Sequence, residues 1–175
     1  GFAADGNARS SSLISVESGQ LYLSRVLLKT TGGSTSLVRF RSTGTRPLPV
    51  RPGRSLWASD RPICRVEDCA LSVTDGEGIA VDLGRGVVSL SNTVIVSQGA
   101  TGAAISLRTQ KVARDSFEAD LVLDRCTIAA EHASIRLEPW LGTDPGPRRP
   151  WLVDSTQCAF VAIADRQRRD HVLLL

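Results

Sequence analysis

The chain has 175 residues, 42% hydrophobic and 22% charged, with a net charge of +3, enough for one sizeable domain. This composition excludes a disordered chain. No apolar run reaches the length of a bilayer, and the modest charge excludes the concentrated basic field of a dedicated nucleic-acid binder.

The positive balance rests on 19 Arg and 2 Lys, Lys29 and Lys111, a skew that points to a high-GC bacterial genome. The N-terminus, Gly-Phe-Ala-Ala-Asp-Gly-Asn, has neither the basic nor the apolar region of a signal peptide. With no Met anywhere, the chain is expected to be a piece of a longer protein. Ile14 and Val16 precede Leu21 as Leu83 precedes Val88, so residues 1–16 read as the tail of an earlier coil or a cap, and 17–175 as the coils of one domain.

From Leu21 onward an apolar block recurs: Leu21, Leu23, Val26, Leu28; Cys64, Val66, Cys69, Leu71; Val88, Leu90, Thr93, Ile95; Leu121, Leu123, Cys126, Ile128. A degenerate fifth copy reads Trp151, Val153, Thr156, Cys158. Each block is two short period-two runs joined by a polar pair: Ser24-Arg25, Glu67-Asp68, Ser91-Asn92, Asp124-Arg125 and Asp154-Ser155. Such pairs suit a sharp corner between strands. A second ladder follows, Val38, Val81, Ile105, Ile135 and Leu173, each with an apolar residue two positions on. Turns rich in Gly, Thr and Asp separate the two, at Thr31–Ser34, Thr74–Gly78 and Gln98–Gly102. Period-two runs recurring every few dozen residues predict stacked strands, one coil upon the next. A two-sheet sandwich is the alternative, and the fixed block order favours the solenoid.

The cysteines Cys64, Cys69 and Cys126 fall at inward positions filled elsewhere by Leu, Val and Thr, and no CxxC or His spacing suggests a metal. Cys69 and Cys126 share a column with Thr93 between them, about 10 Å apart, beyond disulfide reach. Four free thiols, no metal and no cofactor are expected.

The blocks Leu121-Val-Leu-Asp-Arg-Cys-Thr-Ile and Val88-Ser-Leu-Ser-Asn-Thr-Val-Ile resemble coils of the right-handed parallel β-helix proteins of the pectin-lyase-like superfamily, over Leu13 to Leu175. The resemblance implies an all-β, right-handed parallel β-helix of about five coils. It is unspecific for activity, because the fold hosts lyases, hydrolases, tailspikes and inert stalks. A lyase of this superfamily would use calcium-binding acids and an Arg or Lys base. This sequence shows no such acidic cluster, no Arg-Pro segment on a matching strand, and no Asp-Asp or His-Gly pair of the polygalacturonase type.

Long connections leave the second ladder at 41–62, 84–86, 108–120 and 138–150, and should gather on one edge of the coil. Eleven basic against six acidic residues make that edge net positive. Trp57, Trp140 and Trp151 with Arg41, Arg108 and Arg148 are the candidate ligand-binding residues, since aromatic faces beside Arg forks suit an acidic polysaccharide. Packing of the Trp rings onto the coil is the plainer reading. Asp124 and Asp154, placed in one column a coil apart, are the candidate catalytic pair, because glycoside hydrolysis uses two carboxyl groups. Stacked acids at a repeated corner also have a purely structural reading, and Arg39 with Asp82 reads as a surface ion pair.

The expected function is a non-catalytic structural or ligand-presenting module of a larger bacterial protein, extracellular or on the cell surface, with an anionic polysaccharide as partner. The alternatives are a polysaccharide lyase or glycoside hydrolase, and a protein-docking domain. No nucleic acid and no membrane insertion are expected.

Overall fold

The computed structural model describes residues 11–17, 19–31, 35–42, 63–83, 85–99, 102–109, 118–138 and 152–163, and all their regular structure is β. The first strand, β1 (Ser11–Val16), precedes four coils of three strands and part of a fifth. The coils are β2 (Gln20–Ser24), β3 (Leu27–Thr31), β4 (Thr35–Ser42); β5 (Ile63–Glu67), β6 (Ala70–Thr74), β7 (Glu77–Leu83); β8 (Arg85–Ser91), β9 (Val94–Gln98), β10 (Ala103–Thr109); and β11 (Glu118–Asp124), β12 (Thr127–Ala130), β13 (Ala133–Glu138). The fifth contributes β14 (Leu152–Thr156) and β15 (Ala159–Ala162). Equivalent strands pair in parallel into three five-stranded sheets, β1-β4-β7-β10-β13, β14-β11-β8-β5-β2 and β15-β12-β9-β6-β3. We call these sheets A, B and C. The arrangement is consistent with a β-helix solenoid.

Sheet B turns into sheet C through one left-handed residue, Arg25, Asp68, Asn92, Arg125 or Gln157. A non-glycine residue with positive φ is costly, so something must hold it. The next coil does: the N–H groups of Arg25, Asp68, Asn92 and Arg125 donate to the carbonyls of Glu67, Ser91, Asp124 and Thr156 at 2.9–3.1 Å. The residue after the corner braces it as well. Cys69, Thr93, Cys126 and Cys158 each donate from the side chain to the carbonyl two residues back, at 3.0, 2.8, 3.4 and 3.3 Å. Four of the five positions in that column thus carry a small side chain with a donor, cysteine or threonine, while the first coil has Val26 there.

The inward columns Leu21/Cys64/Val88/Leu121 and Leu28/Leu71/Ile95/Ile128 stack in register, as the blocks predict. The middle coils bury these side chains almost completely, each contributing about 1.5–3 kcal/mol. End coils are more open: the inward Leu21 and Leu28 are half-buried, and Val153, opposite Leu121, is 39% exposed.

Two registers differ from the sequence expectation. In sheet A, Ile79 rather than Val81 stacks on Val38 and Ile105, with Val81 between Phe40 and Leu107. Ile79, Val81 and Leu83 are all apolar at period two, so the pattern allows either alignment. The tight turn at Asp75-Gly76, where Asp75 is left-handed and its N–H donates to Gln98 O at 2.7 Å, selects the shorter one. In the fifth coil Val153, not Trp151, stands opposite Leu121, and Thr156, not Asp154, stands opposite Asp124. The corner is therefore Gln157 rather than Asp154-Ser155, and Cys158 enters the column of Cys126. Leu173 of the expected ladder lies outside the described residues.

Alternation in sheet A breaks at one column. Leu37 and Val38 both enter the core, as do Ala104 and Ile105. Between them Gly78 has no room for a side chain: a Cβ would lie 2.6 Å from Ala104 O and 2.7 Å from Ile95 Cγ2.

Candidate functional site on the outer face of sheet A

Beyond that break, sheet A resumes period two and presents two polar rows outward. Pairing aligns Arg39, Ala80, Ser106 and Arg136 in one row, and Arg41, Asp82, Arg108 and Glu138 in the next. The small floor residues Ala80 and Ser106 are fully buried, and Asp82 is 4% exposed. Charges this confined must find partners.

They do so between coils. Asp82 Oδ2 accepts from Arg39 Nε at 3.3 Å and Nη2 at 3.2 Å. Arg41 Nε stands 3.5 Å from the same oxygen, yet this buried atom makes no hydrogen bond. Arg108 spans its neighbours on both sides: Nε and Nη2 donate to Glu138 at 2.6 and 3.1 Å, and Nη2 donates to Glu77 Oε1 at 3.0 Å. Ser36 Oγ donates to Glu77 at 3.0 Å. The Arg108 hydrogen bond holds the Glu138 carboxyl below its ordinary range, and Glu138 in turn raises the Arg108 guanidinium. Arg39 and Asp82, expected as an exposed ion pair, thus lie largely buried, with side chains 19% and 5% exposed.

A second cluster lies on sheet B. Glu67 accepts from Tyr22 Oη at 2.7 Å and pairs with the Arg65 guanidinium, which lies 5.9 Å from the Tyr22 ring centre. The Tyr22 hydrogen bond is the largest cause lowering the Glu67 carboxyl.

The expected catalytic pair does not share a column. Asp154 stands opposite Val122, so Asp124 and Asp154 lie on a diagonal, with Cα atoms roughly 8 Å apart from strand spacing and rise. Asp124 Oδ2 accepts from Arg125 Nε at 3.1 Å. Of the expected ligand-binding residues, the structure describes Arg41 and Arg108 and brings both onto the sheet A face. Trp57, Trp140, Trp151 and Arg148 lie outside the described residues.

Glu77 was not among the candidate residues: it shares the parity of the inward Ile79, and the break in alternation at the Gly78 column is what turns it outward. Among the described residues no group of three or more His, Cys, Asp or Glu side chains could hold a metal ion. No helix among them is long and apolar enough to cross a membrane. No known protein family matches the sequence, and comparison with curated proteins and with solved structures yields no significant match.

Proposed function

We propose that the chain is a right-handed parallel β-helix of the pectin-lyase-like type, serving as a non-catalytic module of a larger bacterial protein that presents its loop edge to an anionic polysaccharide outside the cell. The observation carrying this reading is that β4, β7, β10 and β13 lie side by side and parallel. The connections beginning at 43, 84, 110 and 139 therefore leave from one edge, and they carry the surplus of Arg along with Trp57 and Trp140.

The state of the carboxylates supports a non-catalytic role. Glu77, Asp82 and Glu138 are each engaged by Arg, whereas a general acid needs an environment that keeps its proton. Arg41 supports anion binding, because its side chain is 37% exposed beside the ends of these strands.

A glycan array spanning uronate-rich, sulfated and neutral polysaccharides tests the reading. Wild type should bind the acidic members, and Trp57→Ala should weaken that binding about tenfold, as for loss of one stacking contact. No acidic glycan bound by wild type refutes the ligand class; equal binding by the variant removes Trp57 from the site.

A further inference from the structure

The fourth and fifth coils place two thiols side by side at one corner. Cys126 and Cys158 follow the left-handed residues Arg125 and Gln157, and the pairing of Thr127 with Ala159 sets them in one column of adjacent coils. The Ala159 N–H donates to Cys126 O at 2.9 Å. Their Cα atoms are thus about one strand spacing apart, about 4.8 Å, within the span of roughly 4.4–6.8 Å that a disulfide bridges without moving the backbone.

The side chains agree with the backbone. The Cys126 N–H donates to Cys158 Sγ at 3.4 Å, so this sulfur already lies against the neighbouring coil. Both thiols are drawn toward their own corner carbonyls, Cys126 to Asp124 O and Cys158 to Thr156 O. The other cysteines have no such neighbour in register. Cys69 is separated from Cys126 by the coil carrying Thr93, and Cys64 stacks between Leu21 and Val88. Accessibility divides the pair: Cys126 is 1% exposed and Cys158 only partly buried.

We propose that Cys126 and Cys158 form a dithiol redox site, which a small thiol-oxidising compound converts to a disulfide stapling the fifth coil onto the fourth. With an azodicarboxamide oxidant, the accessible Cys158 sulfur adds to the N=N bond, and its thiol proton passes to the other nitrogen. Cys126 sulfur then attacks Cys158 sulfur and displaces the hydrazine, which takes the second proton. Two thiols lose two electrons and two protons, the azo compound gains them, and one S–S bond forms. The staple acts where burial is weakest, since β14 and β15 are exposed along their whole length.

The full chain, folded and treated with diamide, is then denatured, alkylated and mapped by mass spectrometry without reduction. The site predicts one intramolecular Cys126–Cys158 link, full alkylation of Cys64 and Cys69, and reversal by dithiothreitol. Cys126→Ser and Cys158→Ser should each abolish the link. Limited proteolysis within 152–163 should slow roughly tenfold on oxidation. Any other pairing, or a Cys158 that couples only between molecules while Cys126 stays reduced, overturns the proposal. So does a link that forms but leaves proteolysis unchanged.

Discussion

Replacing Gly78 with alanine should strain the contact between two neighbouring coils. The new Cβ would sit 2.6 Å from Ala104 O and 2.7 Å from Ile95 Cγ2, where ordinary contact starts near 3.4 Å. Each neighbour would have to withdraw by about 0.7–0.8 Å, and Ala104 O is backbone held in the sheet, so it yields poorly. Overpacking of this kind costs about 1–3 kcal/mol. The gain from replacing a strand glycine, about 0.5–1 kcal/mol, offsets part of it. A net loss of about 1–2 kcal/mol, with a urea slope of about 2 kcal/mol/M, lowers the unfolding midpoint by roughly 0.5–1 M. Circular dichroism during urea titration measures it, with an unchanged slope required for the comparison. A midpoint equal to or above that of wild type would refute the close approach of these coils.

Two further outcomes follow from the buried polar groups. Asp82→Asn removes the charge that both Arg39 and Arg41 face, and should cost about 1–3 kcal/mol by the same titration; a neutral result would mean that solvent already screens this face. Burial pushes the Cys64 thiol up to about 12 from 9.0. Above pH 9 the unfolded chain loses this proton while the folded chain keeps it, so stability is fully present below pH 9 and falls as pH rises toward 12. The slope is up to about 1.4 kcal/mol per pH unit. Cys64→Val should flatten the decline, and identical alkaline slopes in the two proteins would count against burial of the thiol.

The columns of sheets B and C were readable from sequence because each apolar block is broken by a corner at a fixed place. Leu21, Cys64, Val88 and Leu121 could be aligned in only one way. Sheet A offered no such punctuation in its second coil, where Ile79, Val81 and Leu83 satisfy two alignments equally and only the turn length separates them. The fifth corner misled for a different reason. Asp adopts the left-handed region more readily than Gln, so Asp154-Ser155 looked like the bend, whereas Gln157 takes it under the hydrogen bonds of the fourth coil. That shift separated Asp124 from Asp154 and brought Cys158 beside Cys126. The pairing of Arg39 with Asp82 was legible but its burial was not, and Glu77 escaped notice because its partners Ser36 and Arg108 lie 41 and 31 residues away, distances that no local motif encodes.

The corners carry one more consequence. The left-handed residues of the first four corners are secured by a carbonyl of the following coil, and the shortest step between successive corners, Asp68 to Asn92, needs only 24 residues. Most residues beyond that minimum are spent on the connections leaving sheet A. The cross-section is thus independent of coil length, and a protein built this way can grow or shrink by whole turns, or exchange one rim segment for another, while the scaffold beneath keeps its shape.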